Sequence, residues 1–432
     1  MSETAIATAI LLGTFLFFII ARLPITFALI ASAVLTALYA EIPVVTIWQR
    51  IAQGVQSFSL LAIPFFILAG EIMLSGGIAD RLVEFADVFV GRFRGGMAQV
   101  NILASMFFGA VSGSATADIS SIGATLIPIM EKQGYDRDFS IHVTVTSSCQ
   151  SMIIPPSHNM IMFCMAAGSV SAGRMFLGGI VPGILLGLSL MIVTGIISVK
   201  RNYPKGKKYS VKDALIITKD SLLGLMTIFI ILVGVCTGFF TATESAAIAS
   251  VYAFVITFFV YRKISIKEMG NILLRTGKTL AMVLGIIAAA NGFGYMLTFL
   301  RVPQMVVAWM LSITTNKYLL ILMMNLMLLC LGCIMDVAPL IMICTPILLP
   351  VAVELGMNPV QFGIMELLNL AVGACTPPVG LALFAGCAVG KLPIEKAVVG
   401  IWPFYLAMVV TTLLVAFVPA LTLTLPNLFM PL

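Results

Sequence analysis

Apolar residues in this chain form long unbroken runs, and charged residues fall almost wholly between those runs. Such runs predict helices surrounded by protein or lipid on every side. They fall at 4–21, 25–41, 57–75, 97–112, 116–131, 140–154, 157–173, 176–199, 220–240, 244–261, 279–300, 303–314, 318–334, 337–353, 359–375, 378–390 and 398–425. A membrane-crossing helix needs roughly 20 apolar residues, and several of these runs are shorter. Others are broken by Gly, Pro and Ser where a helix should continue through lipid. Non-helical backbone is tolerated at that depth only where protein or a wet cavity covers it, so the breaks are where function is expected. The runs are continuous, not alternating strands, which argues against a β-barrel. The pattern predicts an all-α polytopic membrane protein.

Composition sharpens this. Of 432 residues 60% are apolar and 10% charged, against about 25% charged in soluble domains. An ordinary soluble enzyme, a disordered chain and a secreted disulfide scaffold are excluded. The net charge of +6 is concentrated in two places. Lys200, Arg201, Lys205, Lys207, Lys208, Lys212 and Lys219 form one basic stretch, and Arg262, Lys263, Lys267, Arg275 and Lys278 another. Basic loops face the cytoplasm, so these read as topology anchors against anionic lipid, with no nucleic-acid role. The eight cysteines all lie inside apolar runs, which argues against disulfides or zinc. Met1–Arg22 lacks a basic start and a cleavage site and reads as a retained first span.

The chain repeats itself. Pro128, Gly134, Pro155 and Pro156 recur 222 residues later as Pro350, Gly356, Pro377 and Pro378. Gly109 likewise matches Gly332 at an offset of 223. This divides the chain into a first repeat at 1–200, a basic cytoplasmic loop at 201–219 and a second repeat at 220–432. Arg22 and the basic loops place equivalent helices in opposite directions, so the repeats are expected to be inverted, with both termini in the periplasm. Inverted repeats with discontinuous helices mark secondary transporters. In each half a hairpin is expected first (about 97–131 and 318–353), then a broken helix (about 140–173 and 359–390).

The breaks hold the candidate chemistry. Gly109–Thr116 and Gly332–Pro339 read as tips of two re-entrant hairpins. Ser147–Gln150, Pro155–Asn159 and Gly373–Pro378 interrupt the following helices. Proline has no amide to donate, so a Pro-Pro pair frees carbonyls before it, and helix starts beyond the break offer N–H groups to an anion. Freed carbonyls with Ser/Thr hydroxyls and a carboxylate suit Na⁺. Acids within the membrane are costly and mark sites. Asp336 is a candidate cation ligand or hairpin cap, Asp118 a functional acid or a cap for Ser120–Met130, and Glu71 a relay or a helix-to-helix contact. Glu244 reads as a first-turn residue. Arg301 is an interfacial residue or an anion contact, and His158 a packing residue or a substrate contact. No ATP-binding loop, nucleophile–base set or metal motif occurs, so an enzyme is disfavoured.

The segments Ser112-Gly113-Ser114-Ala115-Thr116-Ala117-Asp118, Ile154-Pro155-Pro156-Ser157, Gly332-Cys333-Ile334-Met335-Asp336 and Thr376-Pro377-Pro378 resemble the large membrane subunit of tripartite ATP-independent periplasmic (TRAP) transporters. The resemblance spans essentially the whole chain. It implies an elevator-type importer of the bacterial inner membrane, driven by Na⁺ with no other cofactor. It implies a small organic acid as substrate (sialic acid, a C4-dicarboxylate or a related carboxylate) delivered by a periplasmic binding protein. A small four-helix membrane subunit is also implied, expected as a separate chain because no such segment precedes Met1. On this resemblance Na⁺ is expected at Ser112, Ser114 and Ser147, and at Gly332, Asp336, Gly373 and Thr376. Substrate is expected at Ser114, Thr116, Ser157, His158 and Asn159. Asp118, Arg301, Pro155, Pro156, Pro377 and Pro378 are further candidates. The competing reading is a self-sufficient sodium/dicarboxylate symporter without a binding protein.

Overall fold

The computed structural model describes residues 3–168 and 170–431. Residues 1, 2 and 432, at the ends of the two expected halves, and Ser169, inside the expected 140–173 span, lie outside the described residues. Every regular element among the described residues is a helix, and six helices are long and apolar enough to cross a bilayer alone.

The helices form two packed groups. In one, Ile266–Phe299 runs alongside Ile25–Tyr39, Val44–Gly54 and Ala62–Ser75, while Ala242–Val255 joins Ala62–Ser75 to Val211–Cys236. The other holds the interrupted elements, backed by Ala172–Lys200 and Trp402–Phe417. The two groups meet where Ala62–Ser75 and Ile266–Phe299 contact the interrupted elements, and at Ile78–Val90, which packs on both Gly96–Ser112 and Val211–Cys236.

Those elements recur in the same order in each half. A first arm (Gly96–Ser112, then Lys317–Gly332) leads through a short tip to a returning arm. The returning arm is Ala115–Asp118 continuing through Ile119–Gly123 to Lys132 in one half, and Val337–Glu354 in the other. A helix follows (Arg137–Ser148, then Pro359–Ala374), then a Pro-Pro break with a cis peptide bond, and a second short helix (His158–Ala167, then Leu381–Gly390). The two helices before the breaks are buried almost all round, as expected of helices enclosed on every side by protein.

Close packing repeats as well. A Cβ on Gly109 would lie 2.7 Å from the Ser151 Cα, and one on Gly373 would lie 2.5 Å from the Gly332 Cα. Gly109 corresponds to Gly332, and Ser151 to Gly373 at an offset of 222. The absent side chains thus let each hairpin arm press on the broken helix of its own half. Across the halves, His158–Ala167 packs on Val337–Glu354, and Leu381–Gly390 packs on Ile119–Gly123 and Arg137–Ser148. Each returning arm is therefore held by the other half.

Several boundaries differ from the sequence reading. The helix expected at 220–240 is Val211–Cys236, so 211–219 of the expected loop is helical, started by Ser210, whose hydroxyl accepts from the Asp213 N–H at 3.2 Å. The span expected at 279–300 is Ile266–Phe299. The run 398–425 is two helices, Trp402–Phe417 and Ala420–Phe429, bent by 56° beside Pro419. The helix expected through 173 ends at Ala167, with Gly168 left-handed behind it. Val44–Gly54 and Ile78–Val90 were not expected. Both are amphipathic, and Ile78–Val90 buries Ile78, Leu82, Ala86 and Val90 on one face, a period-four stripe hidden by Asp80, Arg81, Glu84 and Asp87. Glu244 completes a capping box with Thr241, as a first-turn residue should.

At the polar end of Arg137–Ser148, Asp136 accepts from Tyr203 Oη at 2.6 Å and from Arg201 Nη1 at 2.8 Å. The Tyr203 hydroxyl chiefly, and Arg201 with it, hold the Asp136 carboxyl below its ordinary range against a smaller opposing effect of burial. A depressed folded-state value stabilises the fold above the unfolded value near 4 and is lost as pH falls through the folded one. Asp136 is largely solvated, so Asp136→Asn should cost under about 1 kcal/mol at neutral pH. Thermal unfolding at pH 7 and at about pH 2 should show that gap closing in acid, below the folded-state value.

Candidate functional site

At the junction of the two groups lies a cavity of about 470 Å³, within the usual range of roughly 300–1,000 Å³ for small ligands. Both hairpin tips and both broken helices line it, and its polar side chains come from the two tips, the first broken helix, and Glu71 and Thr279 of the other group.

The first tip forms because Gly113, at φ +60°, ends Gly96–Ser112 in the left-handed region. Ser114 then extends and starts the returning arm, its Oγ accepting from the Ala117 N–H at 3.4 Å. The Ser114 and Thr116 hydroxyls lie 3.1 Å apart, and Ser112, Ser114 and Thr116 all line the cavity. The first break reaches this tip directly: Asn159 Nδ2 donates to the Gly113 carbonyl at 2.8 Å, and the half-buried His158 ring faces the backbone of Ser112. In the second half, Asp336 starts Val337–Glu354 with Oδ1 accepting from the Val337 N–H at 2.8 Å, while its side chain stays open to the cavity. The second break is tied to its tip by the Val379 N–H, which donates to the Cys333 carbonyl at 3.0 Å.

Four helices begin at this one cavity. Ala115, Thr116 and Ala117; His158 and Asn159; Val337 and Ala338; Leu381 and Ala382 are the first residues of their helices, and all line it. Each start carries unpaired N–H groups and the positive end of the helix dipole. Among the described residues no Lys or Arg lines the cavity, but two carboxylates do, Glu71 and Asp336. Glu71 accepts from Arg275 Nε at 3.0 Å, which makes it a helix-to-helix ion pair; Asp336 has no ion-pair partner among the described residues.

Other sequence candidates lie elsewhere. The Ser147 hydroxyl, turned into the protein, donates toward Asn101 Oδ1 and Ser105 Oγ at 3.4 and 3.2 Å. Ser157 is fully buried, and its hydroxyl has no partner. Gly332 and Gly373 meet where the second hairpin crosses its broken helix, and Thr376, one turn on, donates to the Val372 carbonyl at 2.7 Å. Pro155 and Pro156 are buried, whereas Pro377 is half-buried and Pro378 exposed. Arg301 is an exposed corner residue at φ +55°, away from the cavity. The cap that starts the first returning arm is Ser114, and Asp118 is fully buried within that arm.

Glu366 was overlooked. It is fully buried in Pro359–Ala374, with Oε2 accepting from Thr345 Oγ1 at 2.9 Å and Oε1 unpartnered. An acid in a 16-residue apolar helix was the available signal. A second cavity, of about 580 Å³ between Val170–Gly173 and Gly238–Thr243, carries no acidic or basic side chain among the described residues that line it, and none of these belongs to either tip.

The family model for the tripartite ATP-independent periplasmic transporter, DctM component, matches residues 12–421. An uncharacterized protein of Salmonella typhimurium, YgiK, is 41% identical, covering 98% of each chain. A C4-dicarboxylate TRAP transporter large permease protein of Rhodobacter capsulatus is 36% identical over 97% of this chain and 98% of its own. A sialic acid TRAP transporter large permease protein of Vibrio cholerae is also 36% identical, over 88% and 89%. In fold, the chain is similar to the crystal structure of the Alcanivorax borkumensis YdaH transporter, with a TM-score of 0.62 at 12% identity, covering 85% of this chain and 86% of that one. With a family match across nearly its whole length and interrupted helices converging on one cavity, the chain belongs to the DctM family of TRAP transporter large permeases, multi-pass transport proteins of the bacterial inner membrane and not enzymes.

Proposed function

We propose that this permease imports a small organic acid anion together with Na⁺, taking it from a periplasmic binding protein and working beside a small four-helix membrane subunit. The convergence of four helix starts on one cavity carries this reading, because free N–H groups and dipole ends attract a carboxylate. The anion would sit against Ser114 and Thr116, with His158 and Asn159 across from it and Ser157 behind. Sialic acid, a C4-dicarboxylate and related carboxylates all suit such a site. Relatives at equal identity are named for the first two, so overall similarity does not choose between them.

The charge pattern supplies a reason for coupling. An anion entering a site that already holds Asp336 meets like charge, and among the described residues no lysine or arginine in the lining offsets it. A cation bound first removes that repulsion. One cation would lie at Ser112 and Ser114 with the carbonyls before Pro155, the other at Gly332, Gly373, Asp336 and Thr376 with the carbonyls before Pro377. The interrupted elements meet the other group through Ala62–Ser75, Ile266–Phe299 and Ile78–Val90, the last packed on both Gly96–Ser112 and Val211–Cys236, and an elevator movement would run along these helices.

Uptake into proteoliposomes tests the reading. Labelled organic acid should accumulate only when this chain, its small subunit, the loaded binding protein and an inward Na⁺ gradient are all present. Uptake by this chain alone would favour the self-sufficient symporter, and equal uptake with K⁺ would remove Na⁺ coupling. Orientation is tested separately. Cysteines placed at 203–209 should react with an impermeant thiol reagent only after the inner face is opened, and reaction from outside would overturn the inverted repeats with periplasmic termini.

A further inference from the structure

We propose that Tyr405 is a positioning residue for the second cation, its hydroxyl fixing the broken backbone of the second half in the shape that holds Na⁺. The inference rests on the cation placed above at Gly332, Gly373, Asp336 and Thr376. Tyr405 belongs to Trp402–Phe417, outside both hairpins and both broken helices, and is buried. Its hydroxyl donates to the carbonyl of Cys375, two residues before Pro377, and the Thr376 hydroxyl is a second neighbour within hydrogen-bonding reach. Pro377 and Pro378 bring no amide N–H, so the last carbonyls of Pro359–Ala374 lose the partners that a continuing helix would give. Two of them are answered inside the break. The Val372 carbonyl accepts from Thr376 Oγ1 at 2.7 Å, and the Gly373 carbonyl from the Thr376 N–H at 2.9 Å. The Cys375 carbonyl is answered from a different helix, by Tyr405.

The first half lacks this fixture. Cys375 corresponds to Ile153 at the repeat offset of 222, and Ala172–Lys200 follows the first break as Trp402–Phe417 follows the second. That helix brings Gly179 to the Ile153 carbonyl, where a Cβ would stand 2.5 Å from the oxygen. Glycine has no hydroxyl to give. The two breaks share their prolines but differ here, so a tyrosine bond is not something every Pro-Pro break demands. Groups that hydrogen-bond next to a metal's ligands orient them and raise affinity. A segment already held in its binding shape loses less freedom when the ion arrives. Tyr405 holds the stretch between Gly373 and Thr376, and a carbonyl oxygen keeps a second lone pair after accepting one bond. The tip is drawn to the same stretch, because the Cys333 carbonyl accepts from the Val379 N–H at 3.0 Å. The cation site of the second half is therefore preformed from outside by Tyr405, and that of the first half is not.

Equilibrium binding of ²²Na⁺ to the purified full-length chain, without organic acid, tests this on wild type, Tyr405→Phe, Asp336→Asn and the double variant. Tyr405→Phe should keep the wild-type number of ions and bind one of them about three- to tenfold more weakly, as the loss of one hydrogen bond implies. Asp336→Asn should lose that ion, and Tyr405→Phe added to it should leave the affinity for the remaining Na⁺ unchanged. If Tyr405→Phe is too unstable for equilibrium binding, the rise in its unfolding temperature from K⁺ to Na⁺ medium reads the same affinity. A tyrosine that merely filled and paired the interior would lower the unfolding temperature alike in both media and leave Na⁺ affinity as in wild type. That result, or tighter Na⁺ binding, would overturn the proposal while leaving the second cation where it is placed. Full retention of Na⁺ by Asp336→Asn would instead overturn the placement of that cation, and this inference with it.

Discussion

Gly373→Ala is expected to abolish most transport while leaving the chain in the membrane. The added Cβ would stand 2.5 Å from the Gly332 Cα and carbonyl carbon and 2.9 Å from the Cys333 nitrogen. These are backbone atoms and cannot rotate away, so the second hairpin must move off its broken helix. Overpacking of this kind costs about 1–3 kcal/mol; felt wholly at the site, that is roughly 5- to 150-fold in affinity. Uptake and thermal unfolding should both be measured. Gly294→Ala is the control, because its Cβ meets nothing within 4 Å, and it should behave as wild type.

Asp336→Asn is expected to lower uptake by at least about tenfold, corresponding to roughly 1.4 kcal/mol at the site, and to shift its Na⁺ dependence to higher concentration. Asparagine caps a helix about as well as aspartate, so the hydrogen bond to the Val337 N–H survives and only the charge is lost. If Asp336 were a cap and nothing more, rate and Na⁺ response would both stay unchanged. Because ion and substrate binding are linked, whatever factor Na⁺ loses in assisting the substrate, the substrate loses in assisting Na⁺. Binding of each ligand, measured with and without the other, should show the two factors falling together.

The parts of the architecture legible in the sequence were those written in local backbone chemistry. Pro155-Pro156, Pro377-Pro378 and the glycines near the tips restrict the chain whatever surrounds them, so the interruptions and the repeat stood out. The tip serines and Asp336 were legible for the same reason, being polar groups where lipid forbids them. Features that depend on burial from a distance were not. Ile78–Val90 carries four charged residues and looks like a loop until its apolar stripe meets Gly96–Ser112 and Val211–Cys236. The Ser147 hydroxyl could be assigned to the tip or to the interior until its neighbours Asn101 and Ser105, more than 40 residues earlier, were in place. The meeting of four helix starts joins segments from residue 115 to residue 382, and no spacing within one segment encodes it.

The central claim is that the cavity between the two hairpin tips receives the organic anion with Na⁺. Thr116 is the residue to probe, since it is exposed in the cavity and lies beside Ser114. Thr116→Cys, placed in a Cys330→Ser background to remove the most exposed native thiol among the described residues, should react with a small thiol reagent faster than the background alone. Measured as a labelling rate, that reaction should slow several-fold when the transported acid and Na⁺ are both present, and stay unchanged when K⁺ replaces Na⁺ or the acid is omitted. A labelling rate indifferent to the acid at saturating Na⁺ would contradict the claim and place the substrate elsewhere.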